Sequence, residues 1–507
     1  MKFNIRNQNK TVNYEGAQAF TLTPEMELYA AVVTTMLNDS HYEKTDSRLI
    51  RIRELIGQVN PAFVAKLAVY VRKKMYLRTA PVMLVGELAK VHNGNKLVGN
   101  AIGRVVQRPD EITELLAYYQ LTNERTGTKK LNRVSKQVQK GLATAFNKFD
   151  EYQFAKYNRD TAVKLRDALF LVHPKAKDET QQAVFNKLVS GSLATPYTWE
   201  TELSALGQTK FATDSEKEAA VRAKWEALID SGKMGYMATL RNLRNLLEAG
   251  ISAVHVEKVC ALLANEKAVR NARQLPFRFL AAYRELTLLK LGHVPMVLEA
   301  LEDAVYASTA NLRGFGADTR VVVACDVSGS MQQVVSPKSK VMLYDIGLLL
   351  GMLLQSRCRH VLSGMFGDKW KTISLPTKHV LTNVSEFYQR QGEVGYSTNG
   401  YLVLDDLIKR RYVADKVMFF TDCQMWDSAT RNQVATNTLA AKWTKYKQIA
   451  PNAKLYLFDL AGYGQAPLRA ENNDVYLIAG WSDKIFDVLQ ALEEGQTTLS
   501  LINEIAL

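Results

Sequence analysis

Thr319–Met331, TRVVVACDVSGSM, decides the reading of this 507-residue chain. Val321, Val322 and Val323, continued by Ala324 and Cys325, form a short unbroken apolar run bounded by glycine-rich sequence before and Ser/Gly after, the pattern of a central parallel strand. Asp326, Ser328 and Ser330 follow at once, one residue apart, with Gly329 between the serines. In α/β sheets ligands bind off the carboxyl ends of the strands, where these three oxygen-bearing side chains can converge.

A carboxylate and two hydroxyls are hard donors that suit Mg²⁺ better than a soft metal. The spacing D-x-S-x-S resembles the metal-ion-dependent adhesion site of von Willebrand factor A domains, and the further parts of such a site occur downstream in order. Tyr396-Ser397-Thr398-Asn399-Gly400 supplies Thr398 just before a helical stretch, and the apolar run Lys416–Phe420 ends in Thr421-Asp422. The expected ligand set is therefore Asp326, Ser328, Ser330, Thr398 and Asp422, around Mg²⁺ or, as alternatives, Mn²⁺ or Ca²⁺. The competing reading of the first motif is an Asp-Ser-Gly-Ser turn capping a helix.

Working outward, residues 315–507 alternate apolar strands with helices: Val321–Cys325, Lys340–Gln355, Arg359–Met365, Gly400–Arg411, Lys416–Thr421, Ser428–Tyr446, Lys454–Asp459, Asp474–Ala479 and a helix from Ser482. That order predicts a doubly wound α/β domain. Gly314-Phe315-Gly316 marks its start. Residues 23–314 carry the 3.6-residue period of amphipathic helices, opened by Thr23 as N-cap and Pro24 at the first helical position. Pro61–Val91 reads as two helices interrupted at Arg78-Thr79-Ala80-Pro81. Comparable pairs follow at Gly99–Arg108 with Glu111–Gln120, Lys129–Phe146 with Asp160–Val172, and Asp214–Asp230 with Met237–Ala249, and then Pro276–Leu291 with Val294–Leu312. Successive helix pairs predict a HEAT-like helical-repeat solenoid, which becomes a ring if its ends meet. Residues 1–22 are polar and read as an irregular N-terminal arm.

Charge divides along the same line. Residues 1–314 contain 45 Lys+Arg against 32 Asp+Glu, whereas residues 315–507 contain 20 against 19. A basic domain joined to a nearly neutral one points to an acidic partner for the first, nucleic acid being the commonest. The cations recur at helical spacing in Lys129, Lys130, Arg133, Lys136 and Lys140, then in Lys156, Arg159, Lys164, Arg166, His173, Lys175 and Lys177, with Tyr152, Phe154 and Tyr157 among them. Long cations beside aromatics neutralise phosphates and stack bases. Arg241, Arg244, Arg270, Arg273 and Arg278 extend the basic character.

Other classes are disfavoured. The four cysteines lie far apart and the seven histidines form no H-x-x-x-H, against a disulfide framework or a zinc hydrolase. No phosphate-binding P-loop or nucleophile elbow occurs, so no catalytic activity is expected. No run approaches the length that spans a bilayer, and no secretory signal opens the chain, so the expected location is the cytoplasm and no membrane partner is expected.

A basic helical part joined to an adhesion-site domain resembles the Ro autoantigen family, whose TROVE domain precedes a von Willebrand factor A domain. Family-like stretches include LRDALFLVHPK at Leu165–Lys175, LRNLRNLLEAG at Leu240–Gly250 and QLPFRFLAAYRE at Gln274–Glu285. The resemblance implies a monomeric HEAT-repeat ring that binds small noncoding Y RNAs on its outer basic surface and takes single-stranded ends of misfolded RNAs into its hole. It also implies a role in RNA quality control beside a partner such as an exoribonuclease, which would be recognised at the metal site. Lys140, Lys156 and Arg166 match the family's cations, while Leu165 stands where the family has a histidine. The rival expectation is a metal-dependent protein-interaction module whose basic helical domain binds no RNA.

Overall fold

In the computed structural model the described residues are 10–35, 45–92, 94–122, 134–308, 318–335, 339–425, 438–469, 474–482 and 484–507. The expected boundary at residues 314–316 lies outside them. Two compact units partition the chain. One comprises Ile56–Ala238, Ala249–Ser252 and Ser500–Leu507; the other comprises Thr239–Glu248, Ala253–Leu499 and the described part of Met1–Leu55.

The first unit is helical and built of successive packed pairs. Asn60 caps Pro61–Lys73 by accepting a 2.8 Å bond from the Ala62 amide, and the next helix is Thr79–Val91. The break lies earlier than the Pro81 signal suggests. Thr79, Ala80 and Pro81 are the first turn of that helix, where a missing N–H costs no intrahelical bond. Leu97–Val105, Pro109–Leu121, Lys136–Phe146, Leu165–Val172 and Asp214–Asp230 follow the expected order. Glu151–Tyr157, Glu179–Ser190 and Trp199–Gly207 were not expected as helices. Leu97–Val105 and Lys136–Phe146 cross closely: a Cβ on Gly141 would stand 2.7 Å from Ile102 Cβ and 2.8 Å from the Gly99 carbonyl. Glu111, fully buried in the first turn of Pro109–Leu121, pairs with Arg72 at 2.5 Å and accepts from the Gln107 amide at 2.7 Å, tying that helix to Pro61–Lys73.

The second unit centres on a six-stranded sheet. Numbering all strands in chain order, these are β1 (Lys10–Val12), β2 (Gln18–Thr21), β3 (Arg320–Asp326), β4 (His360–Phe366), β5 (Trp370–Thr372), β6 (Lys416–Thr421), β7 (Lys454–Asp459), β8 (Gln465–Ala466) and β9 (Val475–Ala479). The sheet order is β5-β4-β3-β6-β7-β9, parallel except for the β5 edge. β3 and β6 are buried along nearly their whole length, which is why both read as continuous apolar runs. Leu343–Gln355 packs on this sheet with every residue buried; a Cβ on Gly351 would meet Cys325 Sγ at 3.0 Å.

Helices also belong to this unit and dock on the α/β part. Arg284, in Phe277–Thr287, donates two bonds, of 2.7 and 2.6 Å, to the buried Asp345 carboxylate in the first turn of Leu343–Gln355. Glu302, in Val294–Ser308, accepts from the Leu381 and Thr382 amides at 2.9 and 2.8 Å, an anion at the start of Val380–Arg390.

The N-terminal segment departs from the expected irregular arm over residues 10–21. β1 and β2 form a hairpin that pairs with β8. The β8 partners of β2, and the residues bonded by Asn13 and Tyr14, lie more than 400 residues away, so the local pattern does not register them. Thr23 and Pro24 open the helix Pro24–Val33 as expected.

Candidate functional site

The strand order defines where a ligand is expected. From β3 the chain moves to β4 on one side and later returns to β6 on the other, so the sheet's switch point lies between the carboxyl ends of β3 and β6. Asp326 ends β3 and Asp422 follows β6. Asp326, Ser328, Ser330, Thr398 and Asp422 are all nearly inaccessible.

Side-chain and backbone hydrogen bonds hold three loops together there. Asp326 Oδ1 accepts from the Ser328 amide at 2.9 Å, and Oδ2 accepts from Thr421 Oγ1 at 2.7 Å. The Ser328 and Ser330 hydroxyls are 3.2 Å apart. The Gly329 amide donates to the Tyr396 carbonyl at 3.1 Å, which fixes the loop carrying Thr398 beside the serine pair. Asp422 Oδ1 accepts from the Gln424 amide at 3.0 Å. Met425 then bridges to the Thr398 loop: a Cβ on Gly400 would lie 2.5 Å from Met425 Sδ.

Burial, and next the charge of Asp422, push the Asp326 carboxyl well above the usual carboxylate range. Asp459, which ends β7 and was not singled out from sequence, is pushed up to about 6, chiefly by burial. No Lys or Arg among the described residues forms an ion pair with Asp326. A buried carboxylate with hydroxyls around it, Asp326 beside Ser328, Ser330 and Thr421, has the donor chemistry of a hard-cation site. Among the described residues no group of three His, Cys, Asp or Glu side chains is arranged for a metal, so serine and threonine oxygens have to complete any coordination.

The described residues of the Lys136–Lys175 basic set lie in the helical unit. Lys129, Lys130 and Arg133 fall outside the described residues. Lys136, Lys140, Lys156, Lys164, Arg166, His173 and Lys175 are all exposed. Lys136 and Lys140 share a helix whose other face buries Val138, Leu142 and Phe146. Gln139 Nε2 donates to the Leu171 carbonyl at 3.4 Å, and Asn147 Nδ2 donates to the Lys175 carbonyl at 2.9 Å. Those bonds place the Lys136–Lys140 helix beside the segment that bears His173 and Lys175. Lys164 pairs with Asp160 at 2.8 Å, whereas no carboxylate of the described residues pairs with Lys136, Lys140, Lys156, Arg166 or Lys175.

The three aromatics expected to stack on bases sort differently. Phe154 is core, with ring centroids 5.9 Å from both Phe146 and Phe149, because it lies on the buried face of a short helix. Tyr157 sits under the Arg108 guanidinium at 4.4 Å. Tyr152 stays half-exposed beneath Lys156. Phe170, missed in the sequence, is 47% exposed with Arg166 over its ring; its signal was an aromatic on the polar side of Leu165–Val172. Arg244 is engaged by Glu248, whereas Arg278 is exposed.

The model of the TROVE domain matches residues 26–220 and 192–293, more than half of the chain. The protein belongs to the TROVE-domain family. TROVE-domain proteins are an RNA-binding family. Telomerase protein component 1 of Mus musculus is 26% identical over 327 residues, 48% of this chain and 12% of that protein. Its Rattus norvegicus counterpart is 26% identical over 329 residues, again 12% of its length. This chain thus spans about an eighth of those relatives. The crystal structure of the Deinococcus radiodurans Ro (RSR) protein matches 93% of this TROVE-domain chain and 100% of its own, with a TM-score of 0.59 at 19% identity. The combination of a helical-repeat region and an α/β sheet domain is therefore the fold of Ro proteins. Among the described residues, no helix is long and apolar enough to cross a membrane.

Proposed function

We propose that this protein is the RNA-binding scaffold of a Ro-type ribonucleoprotein, without catalytic activity of its own. Its helical unit takes small noncoding Y-like RNA and the single-stranded ends of misfolded RNAs. The observation that carries this reading is the set of exposed cations without carboxylate partners, Lys136, Lys140, Lys156, Arg166 and Lys175, on neighbouring packed elements. Cations so placed neutralise consecutive phosphates of one backbone, which fixes position without reading sequence. The C-terminal α/β part is a von Willebrand factor A-type domain. Asp326, Ser328, Ser330, Thr398 and Asp422 would hold Mg²⁺, which when bound supplies a Lewis-acidic position for a carboxylate of a partner protein, an exoribonuclease fitting the quality-control role. Thr421 orients Asp326 for that task, and the Gln424 amide orients Asp422.

A purely protein-docking module is the second reading, favoured by the buried metal-site carboxylates but leaving the exposed cations unused. Binding of a labelled structured RNA with a single-stranded end separates the two. Lys140→Ala/Lys156→Ala/Arg166→Ala is expected to weaken it by about 3 kcal/mol in total, at about 1 kcal/mol per charged contact, with circular dichroism unchanged. Affinity within twofold of wild type would reject the assignment.

A further inference from the structure

The N-terminal hairpin reaches the loop that follows Asp422. Asn13 is buried in the turn between β1 and β2; its Oδ1 accepts from the Ala17 amide at 2.8 Å, while its Nδ2 donates to the Met425 carbonyl at 2.7 Å. The next residue repeats the contact, the Tyr14 amide donating to Gln424 Oε1 at 2.9 Å. Gln424 is the residue whose own amide donates to Asp422 Oδ1, and Met425 is the residue whose sulfur packs on Gly400 in the Thr398 loop. Cys423, between Asp422 and Gln424, takes a left-handed backbone, φ 60°, a conformation costly for a side-chain-bearing residue and held only by its surroundings.

We propose that Asn13 is a positioning residue for the metal site, with the hairpin acting as an outer clamp on the segment that aims Asp422 and braces Thr398. The inference rests on the metal reading above. The clamp belongs to the shell beyond the ligands, where loss of a partner characteristically costs 10- to 100-fold in metal affinity. Both bonds from the hairpin end on residues 424 and 425, so they constrain the strained Cys423 turn from its far side while β6 constrains it from the near side.

The hairpin has a second anchor that touches no metal-site residue: Gln465 Nε2 donates to the Val12 carbonyl at 3.2 Å. That anchor gives the control. Calorimetric titration of the full chain with Mg²⁺ is expected to show Asn13→Ala weakened about tenfold and Gln465→Ala within twofold of wild type. Equal losses in both variants would reduce Asn13 to a general stabiliser of the hairpin and overturn the proposal, as would wild-type affinity in Asn13→Ala. Wild-type protein that binds no Mg²⁺ would remove the metal reading and this inference with it, an outcome distinct from a null effect of the variant. Hydrogen exchange on wild type covers the case in which Asn13→Ala fails to fold. By linkage, Mg²⁺ must tighten the clamp as the clamp tightens Mg²⁺ binding, so saturating Mg²⁺ is expected to slow exchange of the Tyr14 and Ala17 amides. Unchanged exchange there overturns the proposal.

Discussion

Arg284→Met tests how the helices of the second unit are held to the α/β part. Asp345 is fully buried and accepts three bonds: two from Arg284, at 2.7 and 2.6 Å, and one from the Met342 amide at 2.8 Å. Methionine keeps most of the aliphatic stem but leaves a buried carboxylate with one donor. Breaking a buried pair from one side costs about 3–5 kcal/mol. The Arg284 side chain is 24% exposed, so part of its charge is already solvated and the lower end, about 3 kcal/mol, is expected. Asp345→Ala in the Arg284→Met background removes the stranded charge, and the double variant is expected to recover about 1–2 kcal/mol relative to additivity. Urea unfolding followed through the buried Trp443 reports on this unit. An Arg284→Met protein within about 0.5 kcal/mol of wild type, the range of an ordinary surface change, would refute the argument that this pair docks the helix.

Gly141→Val forces a side chain into a crossing where Ile102 and the Gly99 carbonyl already stand within 3 Å, and is expected to destabilise the helical unit by about 1–3 kcal/mol in chemical denaturation. Asp459 has a folded pKa of about 6 against the usual 3.8, so the native state binds the extra proton between those values. Metal-free protein should therefore lose stability as pH rises from about 4 through 6, and Asp459→Asn should flatten that slope in thermal melts. Phe170→Ala is expected to weaken single-stranded RNA by about 1–3 kcal/mol while sparing duplex RNA, as filter binding to the two forms would show.

Sequence reading succeeded where structure is dictated locally. β6 and β7 have the bounds that their apolar runs indicate, because a strand buried on both faces needs no partner to announce itself. Asp214–Asp230 likewise begins one residue after its Thr213 cap. The missed short strands owe their form to the strand each pairs with. The two-residue β8 exists only by pairing with β2, and the edge strand β5 only by pairing with β4. At the candidate site the motif residues were legible from their spacing, yet Thr421 and Asn13 were not, since the roles of both depend on bonds to residues 95 and 412 positions away. Phe154 was expected to stack on bases and is core, while the exposed Phe170 was not singled out, because the phase of a short helix decides whether a ring faces core or water.

The salt dependence of RNA affinity tests the central claim most directly. Each phosphate neutralised on a single strand contributes about 0.7 to the slope of log affinity against log salt concentration. Wild type should give a steep negative slope, and Lys140→Ala/Lys156→Ala/Arg166→Ala should reduce it by about 2. A slope shared by wild type and the variant would contradict the account, placing the RNA contact away from these residues.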